Sequence, residues 1–130
     1  MITNYMRNKV IEDWFMADQT KVTTYYLGVS STAPTVAGTG FTEPTGNGYA
    51  RVALTRGSDF TKAGDGIVKN KLLEQFPIST GTWANMTHWG IFDSPTGGNL
   101  LLSDRLEYDR DIKINMQLII EANGITLTCS

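Results

Sequence analysis

Cysteine occurs once in the 130 residues, as Cys129, so no disulfide can form within the chain and the fold must rest on its own core. Beside the C-terminus that residue reads as a small apolar strand residue rather than a reactive thiol. Histidine also occurs once, as His88, which excludes a two-histidine metal centre and the HExxH pattern within one copy. No apolar run approaches the roughly 18–20 residues that cross a bilayer, so no membrane contact is expected. Arg7, Lys9, Glu12 and Asp13 break up the first apolar residues and exclude the core of a signal peptide. The chain is expected to stay in the cytoplasm that makes it, or in a particle assembled there. Excess positive charge is missing as well. The net charge is −2, which removes the sequence-independent attraction that nucleic-acid binders draw from Lys and Arg, and no direct nucleic-acid partner is expected.

Catalytic signatures are equally scarce. There is no GxSxG elbow to present a serine nucleophile. Gly38-Thr39-Gly40 and Gly46-Asn47-Gly48 look like phosphate loops, but no GK[ST] follows them, and they read as turn glycines. Asn85-Met86-Thr87 fits the glycosylation pattern, an accidental match without a secretory route. Asp104, Glu107, Asp109 and Asp111 form an acidic cluster that lacks EF-hand spacing; with Arg105 and Arg110 among them they read as a solvated mixed-charge connection. Tyr25, Tyr26, Tyr49, Trp83 and Trp89 read first as core aromatics of half-buried strands, with stacking on a sugar or a partner as the alternative. No enzyme activity, metal or cofactor is expected.

What is present is the composition of a globular domain, 41% hydrophobic and 18% charged, in a length that fits one core. Met6, Val10, Ile11, Trp14 and Phe15 recur at helical spacing, which predicts an amphipathic helix within residues 1–18, capped by Thr3 or Asn4 and leaving near Asp18, Gln19 and Thr20. So short a helix is marginal alone, so its Trp14 and Phe15 face must dock, with its own domain preferred over a neighbouring subunit.

Residues 21–130 read as a single β domain. Alternation predicts strands over residues 21–30 and 49–55, and one over 68–78 with Leu72, Phe76 and Ile78 inward. Pro77 puts that last strand at an edge or a bulge. Residues 56–66 read as a polar connection and 81–86 as a link. Residues 87–92 and 100–106 form a hairpin around Ser94-Pro95-Thr96-Gly97-Gly98. The clearest alternation, residues 112–122, predicts a strand that turns at Asn123-Gly124 into a last strand carrying Ile125, Leu127 and Cys129. Residues 31–48 hold too many Pro and Gly for a regular element and read as a long exposed loop suited to binding or assembly. The fold class expected is mainly β: an antiparallel sandwich or flattened barrel of about seven strands behind one short helix.

The ordered set Leu27-Gly28-Val29-Ser30, Gly48-Tyr49-Ala50-Arg51, Phe76-Pro77, Trp83, Thr87-His88-Trp89-Gly90-Ile91-Phe92-Asp93 and Gly97-Gly98-Asn99-Leu100-Leu101 carries a resemblance. It resembles a family of small tailed-phage proteins commonly labelled tail fibre proteins, over nearly the whole chain. The resemblance implies a virion component made in a bacterial host, with no catalytic residue to carry over. The recurrent residues also have physical roles: Gly48 and Gly90 permit close backbone approach, Trp89 and Phe92 fill opposite faces, and Asp93 begins a turn. The chain has no collagen-like or coiled-coil shaft, so it is not expected to be a complete fibre.

Two roles follow. The favoured one is a capsid decoration or cement protein bridging major capsid subunits, as a homo-oligomer and preferably a trimer. The alternative is a tail, collar or fibre-associated subunit that recognises a host surface. The expected contacts are Met6, Val10, Trp14 and Phe15 on the helix, Pro34, Phe41 and Pro44 in the loop, and Arg105 and Arg110 in the charged stretch.

Overall fold

A computed structural model describes residues 1–16 and 22–128. The predicted helix exit, the start of the first strand at Lys21 and the placement of Cys129 lie outside the described residues.

Helix α1 spans Asn4–Phe15. Thr3 is its N-cap, with the Met6 amide donating to Thr3 Oγ1 at 3.3 Å, and the same hydroxyl donates to the Leu100 carbonyl at 2.7 Å. The cap therefore ties the helix to the sheet as well as closing its first turn. Strands β1 (Thr24–Ser30), β2 (Val52–Thr55), β6 (Ala84–Phe92) and β7 (Leu100–Ile112) form an antiparallel sheet in the order β2-β1-β6-β7. Ile2 bridges to Leu102, the Thr3 amide donates to the Leu101 carbonyl at 2.9 Å, and the N-terminal amine donates to the Ser103 carbonyl at 2.7 Å, so residues 1–3 run along the outer edge of β7.

The opposing layer has two parts. Strands β3 (Phe60–Gly64), β4 (Ile67–Asn70) and β9 (Thr126–Thr128) pair in the order β3-β4-β9, and β5 (Glu74–Gln75) pairs with β8 (Ile119–Ile120). Leu27, Val29, Leu54, Trp89, Ile91 and Leu102 of the four-stranded sheet share one buried cluster with Phe76, Leu118, Ile120 and Ile125 of the facing layer. The mainly β, sandwich-like class expected from composition is what the chain adopts, with no closed barrel. Among the described residues no helix is long and apolar enough to cross a membrane.

Several elements differ from the sequence reading. The polar connection of residues 56–66 contains β3, which turns into β4 through Asp65 and Gly66, the latter at φ 68°. Asp-Gly is a favoured hairpin pair, so the signal was present in the sequence. The strand expected over residues 68–78 breaks after Asn70, and Leu72 and Ile78 face solvent while Phe76 is buried. Residues 81–86, read as a link, include the first three residues of β6. Asp104 to Asp111 belong to β7, which is a strand and not a polar connection.

The largest difference lies in residues 112–122, where the alternation does not make a long strand: β7 ends at Ile112, Asn115 turns at φ 61°, and only Ile119–Ile120 enters a ladder. The backbone instead bonds irregularly to Ser79. The Ser79 amide donates to the Met116 carbonyl at 2.8 Å, and the Asn115 amide to the Ser79 carbonyl at 2.8 Å. The Met116 amide donates to Ser79 Oγ at 3.0 Å, and Ser79 Oγ donates to the Lys113 carbonyl. Proline at position 77 has no N–H to continue the β5–β8 ladder, so the facing segment offers no regular partner. Asn123 does turn, at φ 64°, but it joins β8 to β9 in separate sheets rather than closing a hairpin.

Candidate interaction surface

Residues 31–48 form no regular element and are mostly exposed, as expected, while Phe41 and Glu43 pack back against the outer face of the four-stranded sheet. Gly28 and Gly90 are paired neighbours in β1 and β6 and leave a flat patch on that face. The Phe41 ring lies on it so closely that a Cβ at Gly90 would stand 2.6 Å from the ring. Phe41 also meets Phe92 edge to face, with centroids 5.0 Å apart. Phe41, expected as a partner contact, packs half-buried against its own sheet.

The same face carries a dense polar knot. The Arg51 side chain is 5% exposed and donates to both Glu43 oxygens at 2.7 Å. Its Nη1 donates to the carbonyls of Ser94 (2.7 Å) and Gly97 (2.8 Å), and its guanidinium lies 3.6 Å from the Phe92 ring centre. The Tyr49 hydroxyl donates to Glu43 Oε1 at 2.6 Å and accepts from the Val29 amide at 3.2 Å. Burial, reinforced by the bond to Glu43, raises the Tyr49 hydroxyl far above the ordinary phenol range and keeps it a donor. Asp93 completes the knot by accepting from the Asn99 amide at 2.8 Å and the Asn99 side chain at 3.0 Å. The short motifs spread along the chain therefore meet at one structural staple, which locks the 31–48 loop to the β6–β7 turn.

The His88 Nδ1 lies 2.8 Å from Thr87 Oγ1, and no described carboxylate hydrogen-bonds the ring. Its pKa is lowered by burial and then by Arg105. Glu74 is also perturbed, raised to about 7 by burial and then by the charge of Asp59. Among the described residues no three metal-binding side chains come together.

The helix presents a different surface. Ile2, Met6 and Val10 face inward, but Trp14 is 81% exposed and Phe15 is 79% exposed, so these two do not pack on their own domain as the sequence reading preferred. Helical geometry explains it: at about 100° per residue Phe15 lies half a turn round the axis from Met6, and Trp14 lies about 12 Å further along it. Ile11 and Met16 extend the exposed apolar end. Beside the inward face is an apolar cleft of about 460 Å³ between α1 and the two layers, walled by Met6, Val10, Tyr25, Phe60, Ile67 and Leu127, with Arg56 and Lys62 its charged lining residues.

The expected contact residues are not gathered into one patch. Met6 and Val10 wall the cleft, while Trp14 and Phe15 stand at the free helix end. Pro34 is half-buried in the folded loop, and Pro44 lines a groove with Arg51 and Thr96. Arg105 pairs with Asp109 at 3.2 Å, and the Arg110 guanidinium lies 5.8 Å from the Tyr108 ring centre, both on the solvated half of β7.

No curated protein matches the chain. A family model described as podophage GP4 fiber I protein gp80 matches residues 1–128, nearly the whole sequence and every motif of the staple. Its description agrees with the tail-fibre resemblance carried by those motifs and with a structural role in a phage particle, and the chain belongs to this podophage fibre protein family.

Proposed function

We propose that the protein is a non-enzymatic, fibre-associated structural subunit of a phage particle, held to neighbouring virion subunits by the exposed end of α1. The observation that carries this is Trp14 and Phe15 standing at 81% and 79% exposure at the far end of a helix whose N-cap is tied to the sheet. Two aromatic side chains offer roughly 300–400 Å² of apolar surface, worth about 8–10 kcal/mol of gross transfer free energy, from which the cost of association is subtracted. Contiguous apolar surface of that extent marks an interaction site.

The family description favours a fibre over the capsid-decoration role that size and loop content suggested. The test replaces the resident copy with W14S/F15S and counts copies per purified particle by quantitative mass spectrometry. Loss from the particle with unchanged thermal stability is the expected result; normal incorporation would overturn the proposal. Electron cryo-microscopy of the particle locates the wild-type chain: density at the tail is expected, and a lattice of copies on the head would return the decoration role.

A further inference from the structure

A buried carboxylate in a folded protein is paired with a base, hydrogen-bonded or bound to a metal, because some partner has to replace the water it loses. Glu74 has no such partner in the chain. It is 7% exposed and, like Phe76 two residues on, turns inward, while Gln75 between them faces solvent. Among the described residues its carboxylate makes no hydrogen bond and no ion pair, and the one charge that acts on it is of the same sign.

That charge belongs to Asp59, half-buried ahead of β3. The backbone brings the two acids together. The Thr55 amide, at the end of β2, donates to Asp59 Oδ2 at 2.6 Å, and the Lys71 amide, three residues before Glu74, donates to the Asp59 carbonyl at 2.9 Å. Asp59 Oδ1 accepts from no described residue. The pair therefore lies where the β2 edge of the four-stranded sheet adjoins the facing layer.

We propose that Asp59 and Glu74 form a site for one divalent cation that favours oxygen ligands, calcium or magnesium, and that the ion ties β5 to the turn after β2. A proton on Glu74 relieves that carboxylate alone, whereas a divalent ion satisfies both acids and turns their repulsion into a shared bond. The donors are all oxygen, with no imidazole or thiolate among them, and such a set selects hard cations. Two carboxylates with water in the remaining positions is a common way of holding magnesium, and calcium accepts the same ligands at longer range. The site is also open to entry: among the described residues no unpartnered side-chain oxygen is sealed from solvent, so Glu74 can be reached without unfolding. With only two charged ligands, binding is expected on the order of 10⁻⁴–10⁻³ M.

The test uses the full chain, stripped of metal with a chelator and held at about pH 8, where Glu74 is ionised. Calorimetric titration with calcium chloride and separately with magnesium chloride should show one ion bound per chain, and the tighter of the two identifies the ion. At about 10 mM of that ion, mass action should raise the melting temperature by roughly 5 °C or more above sodium chloride of equal ionic strength. E74Q keeps the shape of the side chain and removes its charge, so it should weaken binding on the order of tenfold or more and abolish the rise. D59N should weaken binding in the same direction. In chelator E74Q should melt no lower than wild type, which separates the loss of a ligand from the loss of the fold.

Absence of binding heat and of a melting shift in wild type with both ions would overturn the inference and leave a proton as the only neutraliser of Glu74. A shift that persists undiminished in E74Q would overturn it too, because the ion would then act elsewhere on the surface. Neither result bears on the role proposed for the end of α1.

Discussion

Removing the Arg51 side chain tests whether the staple on the outer face holds the fold. In R51A four hydrogen bonds from a guanidinium that is 5% exposed disappear: two to Glu43 and one each to the carbonyls of Ser94 and Gly97. The Phe92 ring loses its cationic cover, and Glu43 keeps only the Tyr49 hydroxyl against the partial burial of its carboxylate. Each charge-assisted bond contributes about 1.5–3 kcal/mol net, but they share one donor group and do not add. Breaking one side of a buried pair costs about 3–5 kcal/mol, and that is the expected destabilisation. For a chain of this length the melting temperature should fall by roughly 10–20 °C. Urea denaturation followed by circular dichroism measures the free energy directly. R51K retains the charge without the planar fork and should fall between the two. Adding E43A to R51A should cost little more than R51A alone, because the unpaired carboxylate goes with it. A loss below about 1 kcal/mol in R51A would refute the reasoning and reduce the knot to a surface pair.

Three further outcomes follow from the same fold. G90A places a methyl group 2.6 Å from the Phe41 ring and 2.9 Å from Leu100 Cδ1, so it should cost about 1–3 kcal/mol in thermal denaturation and raise protease sensitivity in the 31–48 loop. Asn70 is fully buried, donates to the carbonyls of Leu72 and Glu121 at 2.9 Å, and accepts from the Ile125 amide at 2.9 Å; N70A leaves these unpaired and should cost about 2–4 kcal/mol by urea titration. Glu74 has its folded pKa raised to about 7 from 4.5, so between those values the folded state holds a proton that the unfolded chain has released. Stability should therefore decline as pH rises through that window, E74Q should flatten the decline, and a pH-independent melting temperature in both proteins would contradict the burial of a protonated Glu74.

What could be read from the sequence was local, and it held where one neighbour was enough to fix the conformation. Thr3 and Asn4 ahead of a helical apolar period marked the start of the helix, because cap and period lie within a few residues of each other, and the structure selects Thr3 as the cap. The β6–β7 hairpin was legible because its turn residues and both strands adjoin. Asp65-Gly66 carries the same signal for β3–β4, but the polar residues around it resemble those of an irregular connection. The staple was half legible: its motifs stood out in order, but no spacing says that Glu43, Arg51 and the carbonyls of the β6–β7 turn converge.

The sequence by itself therefore determined the class of the fold, the helix, the paired strands at its centre and, through its motifs, the fibre family. The tertiary structure decided the rest, because those questions concern partners distant in the chain. The alternation over residues 112–122 needed a regular facing strand to become one, and Pro77 and the Ser79 hydrogen bonds denied it. Phe41 looked like a free loop aromatic until Gly28 and Gly90, from two strands, formed the flat surface beneath it. Trp14 and Phe15 shared an apolar period with Met6 and Val10, but only the position of α1 along the sheet edge decided which of the four face the cleft and which stay exposed.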